Sequence, residues 1–266
     1  HTCGRRGGAL YCWGSNSDGQ VGDAAVTQVA TPRRIGTDND WTAVEAGLDH
    51  TCGIRAGELY CWGAGDVGQI GDEGSVSRTA PVRVGVASDW TRVSAGEYFT
   101  CGVRAGALYC WGYNFDGQLG DASKVNRAGP VLVGSATDWS DVSAGTGFTC
   151  GLRGGALYCW GRNRNGQYGD GSNTASTTPV RVGVATDWSS VRVGERHTCG
   201  VRSGVVTCWG SNDRAQLGNG QLENRTRPTR VGSASDWSEV AAGRNHTCGR
   251  RGGALWCWGS IQSGDS

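Results

Sequence analysis

Twelve cysteines and four histidines are the side chains of this 266-residue chain best suited to metal, redox or nucleophilic chemistry. The cysteines form two series: Cys3, Cys52, Cys101, Cys150, Cys199 and Cys248, then Cys12, Cys61, Cys110, Cys159, Cys208 and Cys257. Every step within a series is 49 residues. Zinc favours two to four residues between paired cysteines, and C-x8-C on facing strands is poor for a tetrahedral site. A covalent bridge suits the spacing better. Between Cys52 and Cys61 the central Ala56-Gly57 fits a two-residue primed hairpin turn. Counting outward, Arg55 faces Glu58, Ile54 faces Leu59, Gly53 faces Tyr60 and Cys52 faces Cys61. That last pair is non-hydrogen-bonded, where Cα atoms approach to ~4.5 Å, within disulfide reach. The spacing predicts six bridges: Cys3–Cys12, Cys52–Cys61, Cys101–Cys110, Cys150–Cys159, Cys199–Cys208 and Cys248–Cys257. Disulfides persist only where the surroundings are oxidising, so the chain reads as secreted, extracellular, periplasmic or displayed on a cell surface.

His1, His50, His197 and His246 share one position, before Thr-Cys-Gly, and Phe99 and Phe148 fill the other two copies. A slot that takes His or Phe is chiefly a packing slot. In a closed ring the four histidines would be consecutive, which leaves a metal or pH-sensing role open. Asp40, Asp89, Asp138, Asp187 and Asp236 each precede a Trp, and Arg6, Arg55, Arg104, Arg153, Arg202 and Arg251 each precede a hairpin turn. Groups repeated this strictly read as strand-start caps and ion pairs between blades. A catalytic centre needs one asymmetric convergence of nucleophile, base and orienting group, and no such set stands out. Asn-Phe-Asp-Gly and Asn-Ser-Asp-Gly faintly resemble calcium loops but lack the terminal bidentate Glu. No cofactor, no metal and no enzymatic activity are expected.

The elements that position these groups follow from the repeat. Trp13, Trp62, Trp111, Trp160, Trp209 and Trp258 keep the 49-residue step, as do Trp41, Trp90, Trp139, Trp188 and Trp237 and all five prolines. Each unit carries four strand-like runs: W-x-x-V-x-A-G, a segment ending T-C-G-V-R, A-L-Y-C-W-G, and P-V-L-V-G. All are short, β-branched or aromatic, and bounded by Gly, Asp or Asn. No 3.6-residue period survives beyond a turn. The prediction is an all-β propeller of four-stranded blades, a single domain over 1–266 with repeat boundaries near 37, 86, 135, 184 and 233. The net charge of +1 gives no basic field for nucleic acid or for a membrane surface. No apolar run approaches the ~20 residues of a membrane span. No charged-then-apolar leader opens the chain, which reads as a mature or trimmed product beginning at His1.

The pattern G-x-x-H-T-C-G-x-R-x-G-x-L-Y-C-W-G-x-N-x-x-G-Q-x-G resembles the regulator of chromosome condensation repeat along the whole chain. The resemblance implies a propeller, typically of seven blades, acting as a binding platform. The eukaryotic founder is a nucleotide-exchange factor on chromatin, in a setting foreign to paired cysteines. Secreted bacterial members resemble this chain better in compartment. They include β-lactamase inhibitory proteins, which bind their targets through loops on one propeller face. Closure departs from the pattern. Six cysteine hairpins accompany only five D-W-x-x-V strands and five proline strands, so two adjacent strands are lacking at one seam. Six blades with an incomplete seam account for this, as does part of a seven-bladed or longer array.

Function is expected where the units differ. One variable window follows Ala-Gly and includes Leu48-Asp49, Glu97-Tyr98, Thr146-Gly147, Glu195-Arg196 and Arg244-Asn245. A second lies between Trp-Gly and Gly-Gln and includes Ser15–Asp18, Ala64–Val67, Tyr113–Asp116, Arg162–Asn165 and Ser211–Arg214. Aromatics with arginine are the usual interface anchors, which singles out Leu48, Asp49, Tyr98, Phe99, Tyr113, Phe115, Arg162, Arg164 and Arg196. Antiparallel geometry places both windows on one face and the Arg-x-Gly hairpin tips on the other. The expected partner is an extracellular protein or glycan, without nucleic acid or membrane insertion. A structural protein of an extracellular matrix or filament, with self-association, is one alternative. A lectin with repeated sugar sites is another, although the windows do not repeat one aromatic and polar set.

Overall fold

The computed structural model describes residues 1–24 and 27–260; residues 25–26 and 261–266 of the expected domain lie outside the described residues. The chain divides into two compact units, His1–Phe115 with Ser123–Thr137, and Asp116–Ala122 with Asp138 onward. The first unit holds three antiparallel sheets. They are β1 (Thr2–Arg6), β2 (Ala9–Ser15) and β3 (Gln28–Arg34); β4 (Trp41–Ala46), β5 (His50–Arg55), β6 (Glu58–Gly63) and β7 (Arg78–Arg83); and β8 (Trp90–Ala95), β9 (Phe99–Arg104), β10 (Ala107–Gly112) and β11 (Arg127–Leu132). The second unit holds β12 (Trp139–Ala144), β13 (Phe148–Arg153), β14 (Ala156–Gly161) and β15 (Ser176–Arg181); β16 (Trp188–Val193), β17 (His197–Arg202), β18 (Val205–Gly210) and β19 (Arg225–Arg230); and β20 (Trp237–Ala242), β21 (His246–Arg251) and β22 (Ala254–Gly259). No helix occurs among the described residues, and the fold is the six-bladed β-propeller read from the repeat. The strand deficit falls on two sheets. Among the described residues, the first lacks a Trp-x-x-Val strand and the last lacks a proline strand.

The hairpin register is the one counted from the turn. Cys52 faces Cys61, Ile54 faces Leu59 and Arg55 faces Glu58. All six cysteine hairpins bring their Cα atoms to 4.1 Å and form the six expected disulfides, leaving no free cysteine. The turns are primed, with positive φ at both central residues: Ala56 at 48° and Gly57 at 75°. Ala105 and Ser203 share this left-handed conformation at 47° and 50°, where three other hairpins place glycine. An L-residue there carries ~1–2 kcal/mol of strain, partly offset by the backbone entropy that glycine would lose. Replacing all three (Ala56→Gly, Ala105→Gly, Ser203→Gly) should therefore raise the thermal midpoint by about 3–6 °C. A lowered midpoint in a calorimetric scan would contradict this account of the turns.

Packing between neighbouring sheets uses the same few side chains each time. Leu10, Val21 and Ile35 meet Trp41 and Trp62, and Leu59, Ile70 and Val84 meet Trp90 and Trp111. In the second unit Leu157, Tyr168 and Val182 meet Trp188 and Trp209. The two tryptophans of each set lie edge to face, 5.9 Å apart for Trp90 and Trp111. The Gly-Gln loop of one sheet reaches the next. The Gln69 carbonyl accepts from Thr100 Oγ1 at 2.9 Å and from Trp111 Nε1 at 3.0 Å, and Gln118 does the same for Thr149 and Trp160. Gly63, which follows Trp62, sits at φ 100°, and a Cβ there would meet the Asp49 carbonyl at 2.5 Å. In the last sheet Leu255 is 74% exposed, whereas Leu10, Leu59, Leu108 and Leu157 are fully buried.

The repeated Asp and Arg residues pair within a blade rather than between blades. Arg104 Nε meets Asp89 at 3.1 Å and Arg153 Nε meets Asp138 at 2.8 Å, each across the first two strands of its own sheet. The reason is strand order: Trp90 faces Arg104 in the β8–β9 register, so the residue before Trp90 lies beside the guanidinium. Arg104 also covers the Trp90 and Tyr109 rings. These pairs are solvent-exposed, and each contributes no more than ~1 kcal/mol.

Candidate functional site

Both variable windows emerge side by side, joined by backbone hydrogen bonds. Ala64 N donates to Asp49 O, Tyr113 N to Tyr98 O, Arg162 N to Gly147 O and Ser211 N to Arg196 O. Buried carboxamides hold the second window in place. Asn163 Oδ1 accepts from Tyr168 N at 3.0 Å while its Nδ2 donates to the Ser172 and Thr174 carbonyls. Gln118 Oε1 accepts from Asp116 N at 3.0 Å, and Gln20, Gln69, Gln167 and Gln216 repeat that contact. The loops are therefore a repeated scaffold. The residues between the anchors are free to differ.

In the first unit the windows present three rings. Tyr113 and Phe115 have centroids 4.8 Å apart and tilted planes, and Tyr98 meets Tyr113 edge to face at 6.3 Å. Phe115 is 63% exposed and Tyr98 38%. Leu48 is exposed and Asp49 half-buried, its carboxylate accepting from Gln20 Nε2 at 3.3 Å. Burial, then the neighbouring Asp18, raises the Asp49 carboxyl above its ordinary value. The Tyr98 phenol is raised by burial and by Glu97, Asp49 and Asp66, which places those carboxylates within its electrostatic reach.

Phe99 does not belong to this surface. It is fully buried at the start of β9, because successive residues of an extended chain point to opposite sides and Tyr98 takes the outward one. The histidines share its slot, and His50 and His197 share its burial, while His1 and His246 are half-buried. His50 Nε2 lies 2.9 Å from Thr100 Oγ1, and His197 Nε2 lies 2.8 Å from Thr247 Oγ1. Burial lowers both imidazoles to about 4.

Arg162, Arg164 and Arg196 lie in the second unit. Arg162 donates to Asp116 through Nε at 3.1 Å and Nη2 at 2.6 Å, and this guanidinium neutralises the carboxylate of the Asn-Phe-Asp-Gly loop. Glu195 is held between Arg196 at 3.0 Å and Arg244 at 2.9 Å. Arg164 is exposed. Sequence reasoning did not single out Asp116, Glu195 and Arg244. Their signal was available: each lies in a variable window, one blade or less from an opposite charge.

These windows are borne on the disulfide-stapled, mostly four-stranded repeats of a β-propeller. The Regulator of chromosome condensation (RCC1) repeat matches residues 7–54, 56–103, 105–152, 154–201 and 203–249, and a second RCC1 profile matches 90–118 and 139–167. The chain belongs to this family. Human WBSCR16 is similar over 91% of this chain and 67% of its own, with 24% identity and a TM-score of 0.81. Prp20p from Saccharomyces cerevisiae, a structure described with its binding to Gsp1p and histones, is similar over 99% of this chain and 67% of its own, with 20% identity and a TM-score of 0.80. Yeast RCC1 (Prp20) bound to Kap60 is 20% identical over 97% of this chain and 64% of that one, with a TM-score of 0.76. The chain thus spans about two thirds of the length of these solved relatives. No curated protein sequence matches it.

Proposed function

We propose that this chain is a secreted, non-catalytic recognition module that binds an extracellular protein through the loop face of its first unit. The observation that carries the reading is the ring cluster Tyr98, Tyr113 and Phe115. The blade architecture does not require it, since the positions equivalent to Phe115 hold Ser17, Asp66, Arg164 and Asp213, and those equivalent to Tyr113 hold Ser15, Ala64, Arg162 and Ser211. An exposed aromatic cluster without a structural task marks a contact surface. The six disulfides point to an oxidising, extracellular-type environment. The protein complexes of the yeast relative favour a protein over a glycan partner.

The double variant Tyr113→Ala, Phe115→Ala should weaken capture of the natural partner from its extracellular fluid by more than ~1 kcal/mol, about fivefold or more, with an unchanged thermal midpoint. Undiminished capture would remove this face from consideration, as would weakening by Ala105→Glu at the opposite hairpin tips. Competition of capture by a simple sugar would move the reading to a lectin. Micromolar self-assembly in light scattering would move it to a structural protein.

A further inference from the structure

The loop windows of the first unit carry an imbalance of charge. They contain Asp18, Asp49, Asp66 and Glu97, and no Lys or Arg. None of these four carboxylates has a Lys or Arg ion-pair partner among the described residues. Their internal contacts are neutral amides and a hydroxyl: Gln20 Nε2 to Asp49 at 3.3 Å, Gln69 Nε2 to Asp66 at 3.0 Å, and Ser17 Oγ to Asp18 at 2.8 Å. The corresponding windows of the second unit behave differently. There Asp116 and Glu195 are neutralised by Arg162, Arg196 and Arg244, while Asp213 is held by Ser211 Oγ at 2.9 Å and Gln216 Nε2 at 3.3 Å. Several acids elsewhere in the first unit are paired, as Asp72 is with Arg78 at 2.6 Å. The loop windows that flank the three rings thus carry carboxylates and no cationic side chain, whereas the windows of the second unit carry both signs.

Carboxylates that are held in place by amides without a Lys or Arg partner repel one another: burial first, then Asp18 and Asp66, raises the Asp49 carboxyl, against the lowering effect of the N-terminal ammonium. A cation satisfies the set. Which cation follows from the rings: Tyr113 and Phe115 present a tilted aromatic pair, and a planar guanidinium stacks on such faces while its N–H fork engages carboxylates. A strongly hydrated ammonium uses only half of that combination.

On the reading of the loop face given above, we infer that the surface formed by Tyr98, Tyr113 and Phe115 with Asp49, Asp66 and Glu97 receives an arginine-bearing segment of the partner protein. The rings stack on the guanidinium, and the carboxylates accept its hydrogen bonds.

The test uses the oxidised full chain and fluorescein-labelled peptides, (Gly-Arg)6, (Gly-Lys)6 and (Gly-Glu)6, followed by anisotropy at low and at physiological salt. Saturable binding of the arginine peptide is expected, several-fold tighter than the lysine peptide, with none for the glutamate peptide. Asp49→Asn with Asp66→Asn and Glu97→Gln should weaken it at least tenfold, since the amides keep their shape and lose only charge. Tyr113→Ala with Phe115→Ala should weaken it comparably at constant charge. Glu223→Gln, an exposed acid of the second unit outside both loop windows, should leave it unchanged. Circular dichroism melts verify that each variant is folded. Absence of saturable binding overturns the inference, as does equal binding by the amide variant or no preference for arginine over lysine. If the ring variant alone loses the natural partner and the amide variant retains it, the loop face stands and the arginine assignment falls.

Discussion

Reduction should unfold this protein at 37 °C, and its six disulfides should open in an order set by burial. The chain-entropy estimate for a ten-residue loop is ~2.5–3 kcal/mol per bridge, not strictly additive over six. Even discounted severalfold, the sum matches the ~5–15 kcal/mol by which a native state exceeds its unfolded chain. The strands cannot compensate, because each sheet is small and many loops carry only polar residues. Both cysteines of the Cys52–Cys61, Cys101–Cys110, Cys150–Cys159 and Cys199–Cys208 bridges are fully buried. Cys257 is exposed in β22, and Cys3 and Cys248 are half-buried. Thiolate attack needs access to sulfur. Timed alkylation during mild reduction should therefore trap Cys248–Cys257 first, then Cys3–Cys12. The four inner bridges should open together, as β structure is lost in circular dichroism. Persistence of the far-ultraviolet spectrum and a cooperative melt after full reduction would show that the bridges are dispensable.

Acid should destabilise the fold between pH 6.5 and 4 through His50 and His197. Thr100 donates its hydroxyl proton to the Gln69 carbonyl, so its Oγ1 accepts from His50, which fixes that proton on Nε2. Nδ1 of His50 and of His197 has no hydrogen-bond partner among the described residues. A second proton would thus charge a buried ring without an acceptor. The folded-state value, about 4, lies below the unfolded 6.5. The unfolded chain therefore binds protons first as pH falls, and the contribution present above 6.5 is lost on the way to 4. At pH 4.5 the loss is about 2–3 kcal/mol per histidine. Asp49 works in the opposite direction, being raised by burial and by Asp18. The thermal midpoint should fall by several degrees or more from pH 7.5 to 4.5. His50→Phe with His197→Phe, which copies Phe99 and Phe148, should remove most of that fall. An equal fall in the double variant would assign the acid sensitivity elsewhere.

The legibility of this molecule in its sequence varies by feature for physical reasons. Hairpin register is local arithmetic: once Ala56-Gly57 is a two-residue turn, Cys52 must face Cys61. The Arg–Asp pairs show where counting stops. Asp89 and Arg104 are far apart in the repeat, and only the adjacency of β8 and β9 decides that they pair inside one blade. Phe99 failed as a surface residue for a related reason: it follows Tyr98 in sequence but points to the other side of the strand. The aromatic trio was readable because it breaks an otherwise regular series. Of the carboxylates around it only Asp49 was singled out, since Asp18, Asp66 and Glu97 are each alone an unremarkable loop acid.

The connectivity of the bridges bears on how the chain is made. Each cysteine pairs with the next one along the sequence, nine residues on, and none joins two blades. A nascent chain threading out of a ribosome or translocon therefore presents its thiols in native couples. Each couple is separated from the following one by the remainder of a 49-residue repeat. An oxidant that joins whichever two thiols emerge together makes every bond correctly on the first attempt. Shuffling by an isomerase has nothing to repair. Biosynthesis of this twelve-cysteine protein should accordingly depend on a thiol oxidase and be indifferent to loss of a disulfide isomerase.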